Sequence, residues 1–405
     1  MFDHASDPAE LGFDADRLAR LRPWMQRHVD AGRIPGAQVL IARRGRVVLH
    51  EWTGLMDVEG GRPWARDTLV RVYSMTKPAT SVALLMLYED GLCRLDDPVD
   101  LYIPEFADRK VLRAGATRTD ETAPATVRLT LHHLLTHTSG LTYGFNPGPL
   151  AAAMRERRVD FGIAHGDLSE TIRRLAELPL AFEPGSRWNY GVSTDVLGRV
   201  VEVISGQPLD RFFAERIFGP LGMRDTFFTV PADRAERLAS CYNRTEQDGM
   251  ALADPGRESR FLGVRQFSGG GGLVSTADDY LRFAEMLRGR GALGGTRLLA
   301  PKTVEVMASN ALPGDIASMG QPVFSEVPFD GIGFGLGLAV TLDPARAKTL
   351  GSRGDFGWGG MASTVFWVDP GLELATVFLT QLVPSSSYPL RKELRALVYS
   401  SLVEP

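Results

Sequence analysis

The chain has 405 residues, 44% of them hydrophobic, enough to bury a large core and to divide into two subdomains. A formal charge of −4 and an isoelectric point near 6.0 supply no basic field for nucleic acid or an anionic membrane, and blocks of like charge are absent. Two cysteines, Cys93 and Cys241, make no disulfide framework and read as free, buried thiols.

Residues 1–7 lack both the basic region and the apolar run of a signal peptide. No apolar run approaches the ~18 residues of a membrane span, so a soluble cytoplasmic protein without a membrane partner is expected. Residues 14–32 carry apolar positions at Leu18, Leu21, Trp24, Met25 and Val29, the pattern of an amphipathic helix. Strands are expected over 37–43 and 46–53, joined as a hairpin at Arg44-Gly45, and over 67–73. The last runs into a helix over 75–90, stopped by Gly91. Because Val82-Ala83-Leu84-Leu85-Met86-Leu87 is apolar on every face, this helix is expected to be central and buried.

From about 96 to 260 the pattern changes to helices (131–137, 167–177, 193–204, 208–217) separated by long loops, with 107–127 a polar surface loop. After Gly269-Gly270-Gly271-Gly272 a capped helix runs over 275–287. Strands return at 333–341, 362–368 and 373–380, and an amphipathic helix closes the chain over 390–402. Strands at both ends around a helical middle predict an α/β domain made of 1–95 and 262–405, a mainly helical domain over 96–261, and an active site at their interface.

Only five of the 45 basic residues are Lys, and one of them, Lys77, follows Ser74 by three positions just ahead of the apolar helix. Arg stays protonated in a protein, whereas a desolvated Lys can become a neutral amine base. On a helix the two side chains share one face, the arrangement of an activated serine. A strand leading into a helix N-terminus also turns free amides and the positive dipole end toward the hydroxyl. A Ser-His-Asp hydrolase of the α/β-hydrolase kind is disfavoured. All seven histidines lie in the first 165 residues, and no Gly-x-Ser-x-Gly elbow occurs. His133 and His137 have the spacing of a zinc helix but no Glu follows His133, so no metal is expected.

Five stretches then carry a resemblance: Tyr73-Ser74-Met75-Thr76-Lys77, Leu134-Leu135-Thr136-His137-Thr138-Ser139-Gly140-Leu141, Phe182-Glu183-Pro184-Gly185-Ser186-Arg187-Trp188-Asn189-Tyr190, Pro220-Leu221-Gly222-Met223-Arg224-Asp225-Thr226-Phe227, and the glycine run leading to Val274-Ser275-Thr276. In this order they resemble the serine β-lactamase-like superfamily from about 15 to 400, above all bacterial family VIII carboxylesterases, relatives of class C β-lactamases and penicillin-binding proteins. The implied fold is α/β plus all-α, a mainly antiparallel sheet flanked by helices with a helical insertion domain. The resemblance makes Ser74 the nucleophile, Lys77 its neutral or proton-sharing partner and Tyr190 the tyrosine that shuttles protons to the leaving group. A phenol of pKa ~10 needs a nearby cation to serve as a phenolate base, and Lys77 could supply it. By analogy the backbone N–H groups of Ser74 and Met361 form an oxyanion hole.

Two departures carry information. The third position of the Tyr-x-Asn element is Val192, so a substrate-binding amide is missing, and the Lys-Thr-Gly element reads Trp358-Gly359-Gly360, an indole where a cation would attract a carboxylate. Arg353 is a candidate to restore that charge. Tyr143, Phe145 and Trp188 are candidates for an apolar acyl pocket, with Gly359 and Gly360 keeping backbone close to substrate. The expected function is a serine carboxylesterase of short-chain or aromatic neutral esters, acting through an acyl-enzyme without cofactor. Its partner would be a small-molecule ester and not nucleic acid, and the protein a monomer or homodimer. The alternatives are a β-lactam hydrolase or penicillin-binding enzyme, an acyltransferase on the same Ser-Lys-Tyr site, and a catalytically silent binding protein.

Overall fold

Arg44-Gly45 turns the first hairpin at positive φ, joining Gly36–Arg43 (β1) to Arg46–Asp57 (β2), which pairs onward with Arg62–Pro63 (β3). The structure, a computed structural model, describes residues 2–5, 7–159, 166–320, 323–324 and 327–404, so His165 lies outside the described residues. The later strands are Ile332–Phe334 (β4), Ala339–Thr341 (β5), Phe356–Gly359 (β6), Val365–Asp369 (β7) and Leu374–Thr380 (β8). All eight form one antiparallel sheet in the order β4-β5-β6-β7-β8-β1-β2-β3. The ends of the chain meet at its centre, where β1 pairs with β8 from Ala37–Thr380 to Arg43–Leu374.

Every residue of β1 is buried, which explains its lack of apolar–polar alternation. Val39 and Ile41 face a cluster with Leu21, Trp24 and Met25 of Leu21–Asp30 (α1) and with Leu394 and Val398 of the closing helix. Leu40 and Ala42 join the large cluster on the other side. That cluster is centred on Thr76–Glu89 (α2), buried from Thr76 to Leu87 and packed against Ser193–Ser205 (α3). Each fully buried Leu or Val there stabilises the fold by about 1.5–3 kcal/mol. Ala277–Arg288 (α4), capped by Thr276, covers β8, β7 and β1, and Leu390–Ser401 (α5) closes the other face. Both cysteines are free and buried.

Several expected elements differ. The helix over 14–32 is two helices, Ala15–Leu18 and α1. The strand over 67–73 shrinks to Val70–Arg71, paired with Val274–Ser275, because Tyr73 already turns at φ 44°. Residues 333–341 are two strands around a turn with Gly337 at φ 88°. Within 107–127, Lys110–Leu112 and Thr122–Pro124 form a hairpin that Leu180 joins from one side. The strand expected from 362 begins at Val365, and β6, just before it, was not foreseen. The helix over 208–217 continues from Leu209–Phe213 into a π-helical turn, Ala214–Phe218.

Candidate active site

The short Val70–Arg71/Val274–Ser275 pairing lays the end of the glycine run against the entry to α2. Val72 N–H donates to Leu273 O at 3.1 Å, and Leu273 N–H to Thr76 Oγ1 at 3.1 Å. Tyr73 is held at positive φ, uncommon for an aromatic residue, and turns the chain so that Ser74 sits in a 3₁₀ turn at the foot of α2. Tyr280 Oη donates to Met75 O at 2.7 Å and fixes that turn.

Lys77, one turn on, is fully buried. Its Nζ donates to Ser74 Oγ at 3.2 Å, Tyr143 Oη at 2.9 Å and Gly270 O at 2.7 Å. Three acceptors match the three N–H bonds of an ammonium. The glycine run is itself clamped: Thr80 Oγ1 donates to Gly269 O at 2.7 Å, and Gly270 N–H donates to the buried Asp195 Oδ1 at 3.1 Å. Ser268 Oγ donates to the same carboxylate oxygen. A Cβ at Gly270 would collide with Asp195, so the close approach requires glycine.

Tyr190 shows Lys77 its ring face, with Nζ 4.6 Å from the ring centroid, while its Oη accepts from Trp358 Nε1 at 3.2 Å. Asn146 Nδ2 donates to Tyr190 O at 2.8 Å, and Asn189 N–H to His137 O at 2.9 Å, fixing the segment that carries the phenol. Behind Tyr190 lies an aromatic layer: Trp188 stacked at an interplanar angle of 10°, His137, and Phe334, which also meets Trp358 edge-on. His137 follows the end of helix Leu131–Leu135 at positive φ, so it shares no helix face with His133. Burial, reinforced by the Lys77 charge, pushes its pKa well below the ordinary histidine value and keeps the ring neutral. Among the described residues no His, Cys, Asp or Glu cluster could hold a metal ion.

A cleft of about 500 Å³ opens over Ser74, lined by Tyr143, Phe145, Tyr190, Trp358 and Met361. Phe145 stacks on Tyr143 with centroids 4.8 Å apart and is 57% exposed at the mouth. Among the described residues, the backbone N–H groups of Ser74 and Met361 meet no hydrogen-bond acceptor in the chain, though both residues line this cleft. Trp188 is a correction to the sequence expectation: it is 1% exposed, supports Tyr190 from behind and is absent from the lining. Arg353 does not line the cleft either; the cations there come from α5. Arg391 donates to Gly360 O at 2.9 Å and Thr364 O at 3.1 Å, Arg395 pairs with Asp355 at 3.0 Å, and Lys392 lies beside them.

Gly359 and Gly360 line the cleft, and at Gly360 the small size is required by neighbouring backbone within the chain. A Cβ would meet the Arg391 guanidinium at Gly359 and Val72 O at Gly360. Asp195 and the α5 cations escaped sequence reasoning. A carboxylate on the otherwise apolar face of Asp195-Val196-Leu197-Gly198 is the one signal that pointed to the former.

The model of the family described as Beta-lactamase matches residues 21–400. The chain belongs to this family. Esterase EstB of Burkholderia gladioli is 37% identical over 417 residues, covering 97% of this chain and 98% of the relative. Monacolin J acid methylbutanoyltransferase of Aspergillus terreus is 30% identical over 393 residues, with 91% and 92% covered. Among solved structures, EstCE1, described as a hydrolase with promiscuous acyltransferase activity, superposes with a TM-score of 0.80 at 30% identity, covering 97% and 99% of the two chains. The fold read from the sequence, a β-lactamase-like antiparallel sheet flanked by helices, is the fold of this Beta-lactamase family member.

Proposed function

We propose that this Beta-lactamase family member is a serine carboxylesterase that cleaves small esters with short-chain or aromatic, uncharged acyl groups through an acyl-enzyme. That it is a serine hydrolase acting on ester bonds rests on its family and on its esterase relatives. One observation carries the finer reading: the buried Lys77 amine lies 3.2 Å from Ser74 Oγ, within proton-transfer reach, under a cleft whose near walls are Tyr143, Phe145 and Trp358.

In the proposed cycle Ser74 Oγ attacks the ester carbonyl carbon while its proton passes to Lys77 Nζ. The carbonyl oxygen, now negative, is received by the Ser74 and Met361 N–H groups, which have no acceptor among the described residues to give up. Collapse breaks the bond to the alcohol oxygen, which leaves with the proton Lys77 took up. We assign the shuttling of that proton to Tyr190, whose Oη accepts from Trp358 Nε1. Water, activated in the same way, then releases the acid. The proposed cycle uses no metal and no cofactor.

The residues of the cycle come from both expected domains: Ser74, Lys77, Trp358 and Met361 from 1–95 and 262–405, Tyr190 from 96–261. We read the site as lying between them. Among the described residues no helix is long and apolar enough to cross a membrane. A cytoplasmic monomer or homodimer acting on a small-molecule ester remains our reading of its setting.

A second reading is favoured by particular relatives. The Aspergillus terreus transferase and EstCE1 are both described by acyl transfer, so an alcohol could take the place of water in the last step. A panel of p-nitrophenyl esters of rising chain length, beside a chromogenic cephalosporin and with and without added alcohol, tests both. The proposal expects turnover of acetate or butyrate esters and poor cleavage of the cephalosporin; efficient opening of the β-lactam ring would overturn it.

A further inference from the structure

Lys77 poses a question of hydrogen-bond geometry that the proposed cycle leaves open. A neutral amine has two N–H bonds and one lone pair, and three groups surround this one. Gly270 O is a carbonyl, able only to accept, and it takes one N–H. The second N–H can go either to Tyr143 Oη or to Ser74 Oγ. The two choices have opposite consequences. With the N–H on Tyr143, the lone pair faces Ser74 and can take its proton; with the N–H on Ser74, the lone pair faces away and the serine is not activated.

We propose that Tyr143 is the positioning residue that decides this choice, its phenol oxygen holding the second N–H of Lys77 so that the lone pair is aimed at Ser74. The inference rests on the serine-esterase reading above. Tyr143 is suited to the task by rigidity: it is 3% exposed, stacked on Phe145 and set edge-to-face against Tyr190 with centroids 5.2 Å apart. Its oxygen lies 2.9 Å from Nζ, closer than the serine oxygen at 3.2 Å. Tyr190 does not substitute for it at the amine, because it offers Nζ the face of its ring while its own oxygen accepts from Trp358. The clamp on Gly270 by Asp195 holds the opposite acceptor in place. Tyr143 is therefore more than the wall of an acyl pocket. During acylation the Ser74 O–H bond breaks, a third N–H forms on Lys77, and the resulting ammonium has all three donors satisfied until it gives a proton to the departing alkoxide.

The decisive experiment compares Tyr143→Phe with wild type in two assays. Tyr143→Phe keeps the ring and its stacking and removes only the oxygen. We expect kcat for p-nitrophenyl butyrate to fall roughly a hundredfold, the scale of a misdirected general base, with KM within about twofold. The rate of Ser74 labelling by a small fluorophosphonate should fall by a similar factor, because labelling needs an activated serine but no ester substrate. A kcat and labelling rate within about threefold of wild type, or a change confined to KM, would overturn the proposal. Should Tyr143→Phe fold poorly, Tyr143→Gln and Tyr143→Leu supply the same contrast. Gln carries an oxygen toward the amine and should label faster than Leu; equal rates would again overturn it. Labelling separates this inference from the functional reading. Wild type that is labelled on Ser74 but cleaves no ester defeats the esterase reading, while the effect of Tyr143→Phe on labelling still decides the role of Tyr143.

Discussion

The two sides of the cleft are built on different principles. On the Ser74 side each polar group is tied to another: Lys77 to three oxygens, Gly270 to Lys77 and Asp195, Gly269 to Thr80. On the Trp358 side the framework is aromatic, with Tyr190, Trp188, His137 and Phe334 in mutual contact and the Trp358 indole donating to Tyr190 Oη at the reactive face. A hydrogen-bonded network has few acceptable geometries, so losing one member misplaces the rest. Aromatic packing tolerates substitution of similar volume with smaller losses. The first side should therefore control whether Ser74 is activated, and the second, apart from the Tyr190 phenol, which ester is chosen.

Removing the nucleophile should produce the largest effect. Ser74→Ala is expected to lower ester turnover by about 10⁴-fold or more, with intact-protein mass spectrometry showing one fluorophosphonate adduct on wild type and none on the variant. Labelling elsewhere would move the nucleophile off this side of the cleft. Next comes the base. Lys77→Arg keeps a positive charge that cannot be given up, so its kcat should drop by roughly 10²–10⁴-fold, about as far as Lys77→Ala. An arginine variant with most of its activity would reduce Lys77 to an electrostatic partner.

Selectivity is the measurement for the aromatic side. Trp358→Lys should raise kcat/KM for a carboxylate-bearing cephalosporin relative to p-nitrophenyl butyrate by roughly tenfold to a hundredfold, the equivalent of one charge-assisted hydrogen bond of about 1.5–3 kcal/mol. Ester activity itself should fall, since the substitution also takes the indole N–H from Tyr190 Oη. A flat ratio in a folded variant would mean that residue 358 does not meet the substrate where a carboxylate would lie. The smallest expected change is in stability. Asp195→Ala leaves Gly270 N–H and the Ser268 hydroxyl without their acceptor, costing about 1–3 kcal/mol by denaturant titration. Asp195→Asn, which keeps an oxygen, should cost less; equal losses would show that charge, and not the clamp, is what matters there.

Much of this was legible in the chain because it depends on local order. Ser74 and Lys77 are one helical turn apart, so their proximity is a consequence of backbone geometry once α2 forms. The burial of α2 follows from its all-round apolar surface, and the first hairpin from Arg44-Gly45. The strand boundaries were less legible. Tyr73 reads as a β-former, yet the turn that presents Ser74 imposes positive φ on it, and β6 is too short and glycine-rich to signal a strand.

What the tertiary structure alone decided is which distant groups meet. The partners of Lys77 lie 66 and 193 residues away at Tyr143 and Gly270, and Trp358 reaches Tyr190 across 168. No periodicity encodes such contacts, since they arise only when α2, α3 and the sheet pack. Trp188 shows the same limit from the other direction: beside Tyr190 in sequence, it resembled a pocket wall and became its support. The sequence by itself determined the Ser74–Lys77 spacing, the family pattern and an indole in place of a cation at residue 358, all properties of residue type and short spacing. The three oxygens around Lys77 Nζ, the clamp on Gly270 and the cations that α5 brings to the cleft were decided by packing, because each depends on side chains whose separation is set by the core.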